Sequence, residues 1–232
     1  MAFLTTDPKI LALAFVGGLI PSLLWLWFWL KEEENPEPKR LLTAVFLLGM
    51  LAVVVVLPIE KFVQVHLSSQ NAQTILWASA EEILKYLAVL VILYGTNDAT
   101  KPIDWPIYLI TAALGFAALE NALFLVKPFS VNQATVGLLT GGLRFLGSTL
   151  LHTISSGTIG IAIGISFYMQ AHAKKMFLLL GFIVAIALHS AFNFFIIRNN
   201  GNDFLKVFAF LWVVTIIVIL LFEKIRRMSE NY

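Results

Sequence analysis

The chain has 232 residues, 59% of them hydrophobic and 13% charged, where a soluble domain carries about 25% charged residues, so this is a polytopic membrane protein. Its net charge of +2 comes without any block of basic residues, which excludes nucleic acid as a partner. Cysteine is absent, and with it disulfides, thiolate nucleophiles and iron–sulfur clusters.

The first apolar run, Ile10 to Leu30, is too long for the core of a signal peptide. It ends in Trp25, Trp27 and Trp29 rather than in a small-residue cleavage site. It reads as a retained first span with an aromatic anchor. Residues 31–40, charged and carrying Pro36 and Pro38, form a solvated loop. Span 2 covers about 41–59 and is closed by Pro58, Glu60 and Lys61. A polar loop then leads to span 3, about 74–94. Residues 95–104 are a further loop, and span 4 covers about 105–126. The apolar stretch 134–171 would reach roughly 55 Å as one helix, against a hydrocarbon core of about 30 Å. Gly141-Gly142 offers a break, so 134–142 reads as an interfacial or re-entrant piece and 143–169 as span 5. Spans 6 and 7 cover about 176–197 and 204–222. The expected fold is an all-α transmembrane bundle of about seven spans, or eight, forming one integral membrane domain over 1–232. With seven spans, nine Lys and Arg fall on the side of the C-terminal tail and five on the other, which favours an N-out, C-in orientation.

Span 3 carries Glu81, Glu82 and Lys85. Each charge inside the hydrocarbon layer costs about 2.5–3.5 kcal/mol on insertion scales, so three in one span need a reason. On a helix Lys85 reaches both carboxylates, at i,i+4 and i,i+3, but cannot neutralise both. Span 4 adds Glu120 and Asn121. Span 5 adds Arg144, Ser148 and His152 at i, i+4, i+8 on one helical face, and span 6 adds His189 and Asn193 on another. Counted from the span ends, Glu81, Glu120, His152 and His189 lie six to eight residues deep, roughly 9–12 Å below the outer boundary. Four helices thus bring carboxylates and imidazoles to one layer, which implies a water-filled cavity in the outer half of the membrane. Gly157, Gly160 and Gly164 read as close helix packing.

Paired carboxylates with histidines suit water activation: a Glu in an apolar site serves as general base, and His and Asn donors stabilise an oxyanion. There is no Gly-x-Ser-x-Gly elbow, no His-Glu-x-x-His and no Asp pair of the presenilin type within the spans. Glu81-Glu82-x-x-Lys85, Phe116-x-x-x-Glu120, Arg144 followed by His152 with Gly157 and Gly160, and His189-x-x-x-Asn193 together resemble the ordered motifs of PrsW-type intramembrane proteases, which are similar to the wider CAAX-protease and bacteriocin-processing superfamily. The resemblance covers about 74–197. It implies an endopeptidase in a bacterial plasma membrane that makes the first cut in a membrane-anchored anti-sigma factor, with the lipid bilayer as its medium. In that reading Glu81 is the general base, Glu82 orients the water or binds a metal, and Glu120 assists proton transfer or ligates. His189 and Asn193 form the oxyanion site and His152 is a ligand or second donor. Lys85 sets the charge of the Glu pair, Arg144 pins its helix or meets a substrate carboxylate, and Asn121 supports. A metal-assisted form stays open, with His152, His189 and either Glu82 or Glu120 holding zinc. The rival from another class is a proton- or cation-coupled transporter using the same Glu and His residues.

Overall fold

A computed structural model describes residues 7–31, 37–130, 144–198 and 204–230. Among these residues there are seven helices and no strand: α1 (Pro8–Leu30), α2 (Lys39–His66), α3 (Gln70–Leu93), α4 (Asp104–Ser130), α5 (Ser148–Ile165), α6 (Ala171–Arg198) and α7 (Phe204–Glu230). The all-α expectation holds. Six helices are long and apolar enough to cross a membrane, α5 together with the turn that precedes it. The exception is α3, which has the length but carries Glu81, Glu82 and Lys85 at its centre. These three are only 4%, 0% and 0% exposed, so the charge that disqualifies α3 by composition is turned away from lipid.

α4 is the axis of the bundle. It is buried without a break from Pro106 to Ala118, as expected of a helix that is apolar all round. Small residues let its neighbours come close. Gly49 on α2 and Gly115 on α4 face each other's backbone: a Cβ on Gly49 would stand 2.2 Å from the carbonyl oxygen of Ala112, and one on Gly115 2.0 Å from that of Phe46. On the other side, a Cβ on Gly160 would stand 2.4 Å from Pro106 Cα and one on Gly164 2.6 Å from the carbonyl oxygen of Pro102. The expected packing role of the α5 glycines is thus met at the start of α4. Exposed apolar side chains such as Leu47, Leu51 and Val54 on α2 and Ile216, Ile217 and Leu220 on α7 form the outer surface.

Several boundaries differ from the sequence reading. α2 does not stop at Pro58 but runs on to His66, where Leu67 N–H donates to the Val63 carbonyl. Pro58 forfeits one intrahelical bond, and the turns on both sides continue. Glu60 is therefore a helical residue, not a loop residue. Ser69 then caps α3, accepting from the Ala72 N–H. α4 extends through Lys127-Pro128 to Ser130, and α6 starts at Ala171, so His172, Lys174 and Lys175 stand in its first turns rather than in a loop. α7 takes in the expected tail residues Lys224, Arg226 and Arg227. Arg144 does not share one continuous helix with Ser148 and His152. Residues 144–146 are helical, a turn at Gly147 follows, and α5 begins at Ser148 and ends at Ile165. Trp25 of α1 holds that turn, its Nε1–H donating to the Phe145 carbonyl at 3.3 Å. The expected re-entrant piece 134–142 lies outside the described residues.

Candidate active site

Helices α2 to α6 surround a cavity of about 600 Å³. Of the nine site residues expected from sequence, six line it: Glu81, Glu120, Arg144, His152, His189 and Asn193. Glu82, Lys85 and Asn121 stand behind them, each at most 2% exposed.

The inner layer is built on Lys85. Its Nζ lies 2.8 Å from Glu82 Oε1, 3.4 Å from Glu81 Oε2 and 2.9 Å from His152 Nδ1. The ammonium also sits 4.4 Å from the ring centroid of Phe116, a residue whose place four positions before Glu120 brings it to this face of α4. Glu82 is wholly committed. Its Oε1 also meets His189 Nδ1 at 2.8 Å, and its Oε2 accepts from the Ser156 hydroxyl at 2.6 Å. With Nδ1–H engaged by a carboxylate, the His189 ring is fixed so that Nε2 faces Glu81 Oε2, 3.7 Å away.

The outer layer is built on Glu120. Its Oε2 receives Arg144 at 2.5 Å and His152 Nε2 at 3.1 Å, with the Ser148 hydroxyl at 3.4 Å. Arg144 and Ser148 thus converge with His152 on one carboxylate although the helix breaks between them. Arg144 also donates to Asn121 Oδ1 and lies over the Phe124 ring, 3.9 Å from its centroid. Asn121 in turn donates to the Thr149 hydroxyl at 2.8 Å, tying α4 to α5. His152 is therefore a bridge, with Lys85 at Nδ1 and Glu120 at Nε2, which connects the two layers. Asn193 faces the cavity, and its side chain has no hydrogen-bond partner among the described residues.

Four participants were missed from sequence. Ser156 and Thr149 carry no signal except their place on α5, one turn after His152 and one residue after Ser148. Both Glu60 and Trp77 line the cavity; Glu60 was hidden by the reading of Pro58 as the end of span 2, and Trp77, inside span 3, reads as one more apolar residue of that span. With α2 continued, Val53, Val56, Leu57 and Glu60 follow i, i+3, i+4, i+7 and form one face.

The model of the PrsW family, described as intramembrane metalloproteases, matches residues 37–221. The chain belongs to this family. Among similar proteins is the Protease PrsW of Shouchella clausii, 28% identical over 219 residues that cover 93% of this chain and 96% of the relative. Those of Oceanobacillus iheyensis and Bacillus subtilis are 26% and 27% identical, over 93% and 84% of this chain and 95% and 89% of the relatives. No solved structure matches the chain significantly. Membership of the PrsW family makes the chain an integral membrane protease, and the transporter reading falls away.

The family's description implies a metal, and the donor chemistry fits one. Glu81, His152 and His189, all buried, each bring one ligand atom within 4.8 Å of the others. A set of two histidines and one glutamate suits zinc with an open position. Sequence placed Glu82 or Glu120 in the carboxylate role; the geometry favours Glu81, because Glu82 is held by Lys85, His189 and Ser156, and Glu120 by Arg144 and His152. The Glu82 bond to His189 Nδ1 is the outer contact that such a ligand needs. Lys85 lies 2.9 Å from His152 Nδ1, the ring nitrogen that is 3.6 Å from Glu81 Oε2.

Proposed function

We propose that this cavity hydrolyses a peptide bond of a membrane-anchored protein, with Glu81 as general base. The observation that supports this reading best is the placement of Glu81. It is the carboxylate of the Glu81-Glu82 pair that lines the cavity, and its neighbours Lys85, His152 and His189 come from two other helices as well as its own. Glu81 takes a proton from water as the water oxygen attacks the scissile carbonyl. The Asn193 amide, with no partner among the described residues, donates to the oxyanion, and His189 donates beside it when its Nε2 carries a proton. Glu81 then returns its proton to the leaving amine. Glu82 orients His189, while Glu120 and Arg144 hold His152. A dication held by Glu81, His152 and His189 would polarise the carbonyl and lower the pKa of a water. The charges admit either form: among the described residues Glu60, Glu81, Glu82 and Glu120 have Lys85 and Arg144 as their permanent cations, beside His152 and His189, which leaves room for two protons or one dication.

The substrate in this reading is a membrane-anchored anti-sigma factor, cut first at this site, as the family resemblance implies. The cavity opens in the outer half of the membrane with the N-terminus outside and the C-terminus inside, an orientation supported by the Lys and Arg count. Irregular substrate backbone is tolerated at that depth because it lines a cavity. The test is co-expression with a tagged membrane-anchored anti-sigma factor, followed by immunoblot. The wild type should release a shortened product, and Glu81→Gln and Glu82→Gln should not while still inserting as folded protein. Full cleavage by both variants would refute the assignment.

A further inference from the structure

Glu60 takes no part in the chemistry above, yet it lines the same cavity. It is half-buried on α2, and its carboxyl lies beside that of Glu81. The cavity's cations are engaged elsewhere: Lys85 lies between Glu81 and Glu82, and Arg144 on Glu120. Among the described residues, no Lys, Arg or His comes within ion-pair distance of Glu60. Two neighbouring carboxylates with one shared cation, itself turned toward Glu82, leave room for a further cation at this wall.

The second feature is Trp77 of α3. Its indole lines the cavity next to Glu60, and its Nε1–H donates to the Glu60 main-chain oxygen at 3.1 Å. That bond pins the turn after Pro58 to α3 and brings the two residues to the same wall of the cavity. Indoles are the most favourable aromatic partners of cations. Below them Val56 and Leu57 give the wall an apolar stretch, which suits the aliphatic stem of a long basic side chain.

We propose that Glu60 and Trp77 form a specificity subsite that receives a lysine or arginine side chain of the substrate close to the scissile bond. The proposal rests on the protease reading of the cavity. Because Glu60 adjoins Glu81, the basic residue lies one or two positions from the cut, extended backbone rising about 3.3 Å per residue. Basic residues at the end of a membrane span are the natural occupants, since their heads seek the interface while their stems stay in the apolar layer.

The test uses the full chain in proteoliposomes and quenched-fluorescent single-span peptides. The peptides are identical except for Lys, Ala or Glu at each position flanking the cut. The readout is the ratio of kcat/KM for Lys over Glu peptides within one enzyme, so a change in overall rate does not enter. The wild type should favour Lys at one position by roughly tenfold, carried mainly by KM, as for one charge pair at a partly buried interface. Glu60→Gln should bring the ratio near unity, Glu60→Lys should invert it at that same position, and Trp77→Leu should lower it. Size-exclusion profiles confirm folding, and Glu60→Gln alone suffices if the charge reversal does not fold. An unchanged ratio in both Glu60 variants, or no charge preference at any position, would overturn the subsite. Failure of the wild type to cleave any peptide would instead overturn the protease reading on which it rests.

Discussion

Replacing Lys85 by methionine removes the cation at the centre of the site while keeping most of its volume. Lys85 is fully buried, with Glu82 at 2.8 Å and Glu81 at 3.4 Å. Glu82 is 0% exposed and cannot turn to water when its partner goes. Removing one member of a buried ion pair costs about 3–5 kcal/mol, most of it the burden of the charge left behind. For a chain of this length each kcal/mol shifts the midpoint by about 2–4 °C, so Tm should fall by roughly 6–20 °C. The contact between the ammonium and the Phe116 ring is lost in addition. If the stranded carboxylate is the cause, Lys85→Met/Glu82→Gln should recover a large part of the loss, and the two changes should be strongly non-additive. The assay is intrinsic tryptophan fluorescence on heating in detergent micelles, the chain having six tryptophans. A Lys85→Met protein that melts within about 2 °C of the wild type, or a double variant less stable than the single, would refute the reasoning.

Other outcomes follow from the same geometry. Arg144→Lys should lower kcat by roughly tenfold while leaving the chain folded, because a point charge cannot hold Glu120, Asn121 and Ser148 together as the planar guanidinium does; kinetics with an unchanged kcat would argue against a positioning role. Gly160→Leu should destabilise by about 1–3 kcal/mol or more, since its Cβ would meet Pro106 backbone at 2.4 Å, and an unchanged melting curve would mean that α5 and α4 are not so close. If Glu81, His152 and His189 hold a dication, metal analysis after zinc loading should find about one ion per chain, with His189→Ala reducing it. Full activity at near-zero metal content would leave the metal-free glutamate chemistry standing.

The polar residues that gather at the candidate site were legible in the sequence because a bilayer makes polar side chains conspicuous. Glu81, Glu82, Lys85, Glu120 and His189 stand in apolar runs where a charge or imidazole has no reason to be unless it faces the interior. Helical rise from the span ends led to the expectation that Glu81, Glu120, His152 and His189 share one layer, and all four line one cavity. What the sequence did not carry is the pairing between helices. That His189 Nδ1 meets Glu82 rather than Glu81, or that Ser156 closes Glu82 from α5, depends on which helix faces are neighbours, and periodicity records only one helix at a time. That Glu81, rather than Glu82 or Glu120, is grouped with His152 and His189 has the same origin. Glu60 was lost for a different reason. A proline inside a helix costs about 3 kcal/mol in water and normally marks an end, yet helices in a bilayer keep their remaining hydrogen bonds because nothing else can satisfy them. The turn at Gly147 went the other way: the i, i+4, i+8 spacing of Arg144, Ser148 and His152 matched a continuous face, while the contacts that unite them run through Glu120.

The most direct test of the central claim is a single-turnover cleavage of a membrane-anchored peptide by the purified chain in proteoliposomes made up in oxygen-18 water, with mass spectrometry of the products. Wild-type protein should yield a product cut within the outer part of the peptide's span, with one oxygen-18 in the new carboxyl terminus, and Glu81→Gln should yield none. Product formed by Glu81→Gln at the wild-type rate would contradict a cavity in which Glu81 activates the water.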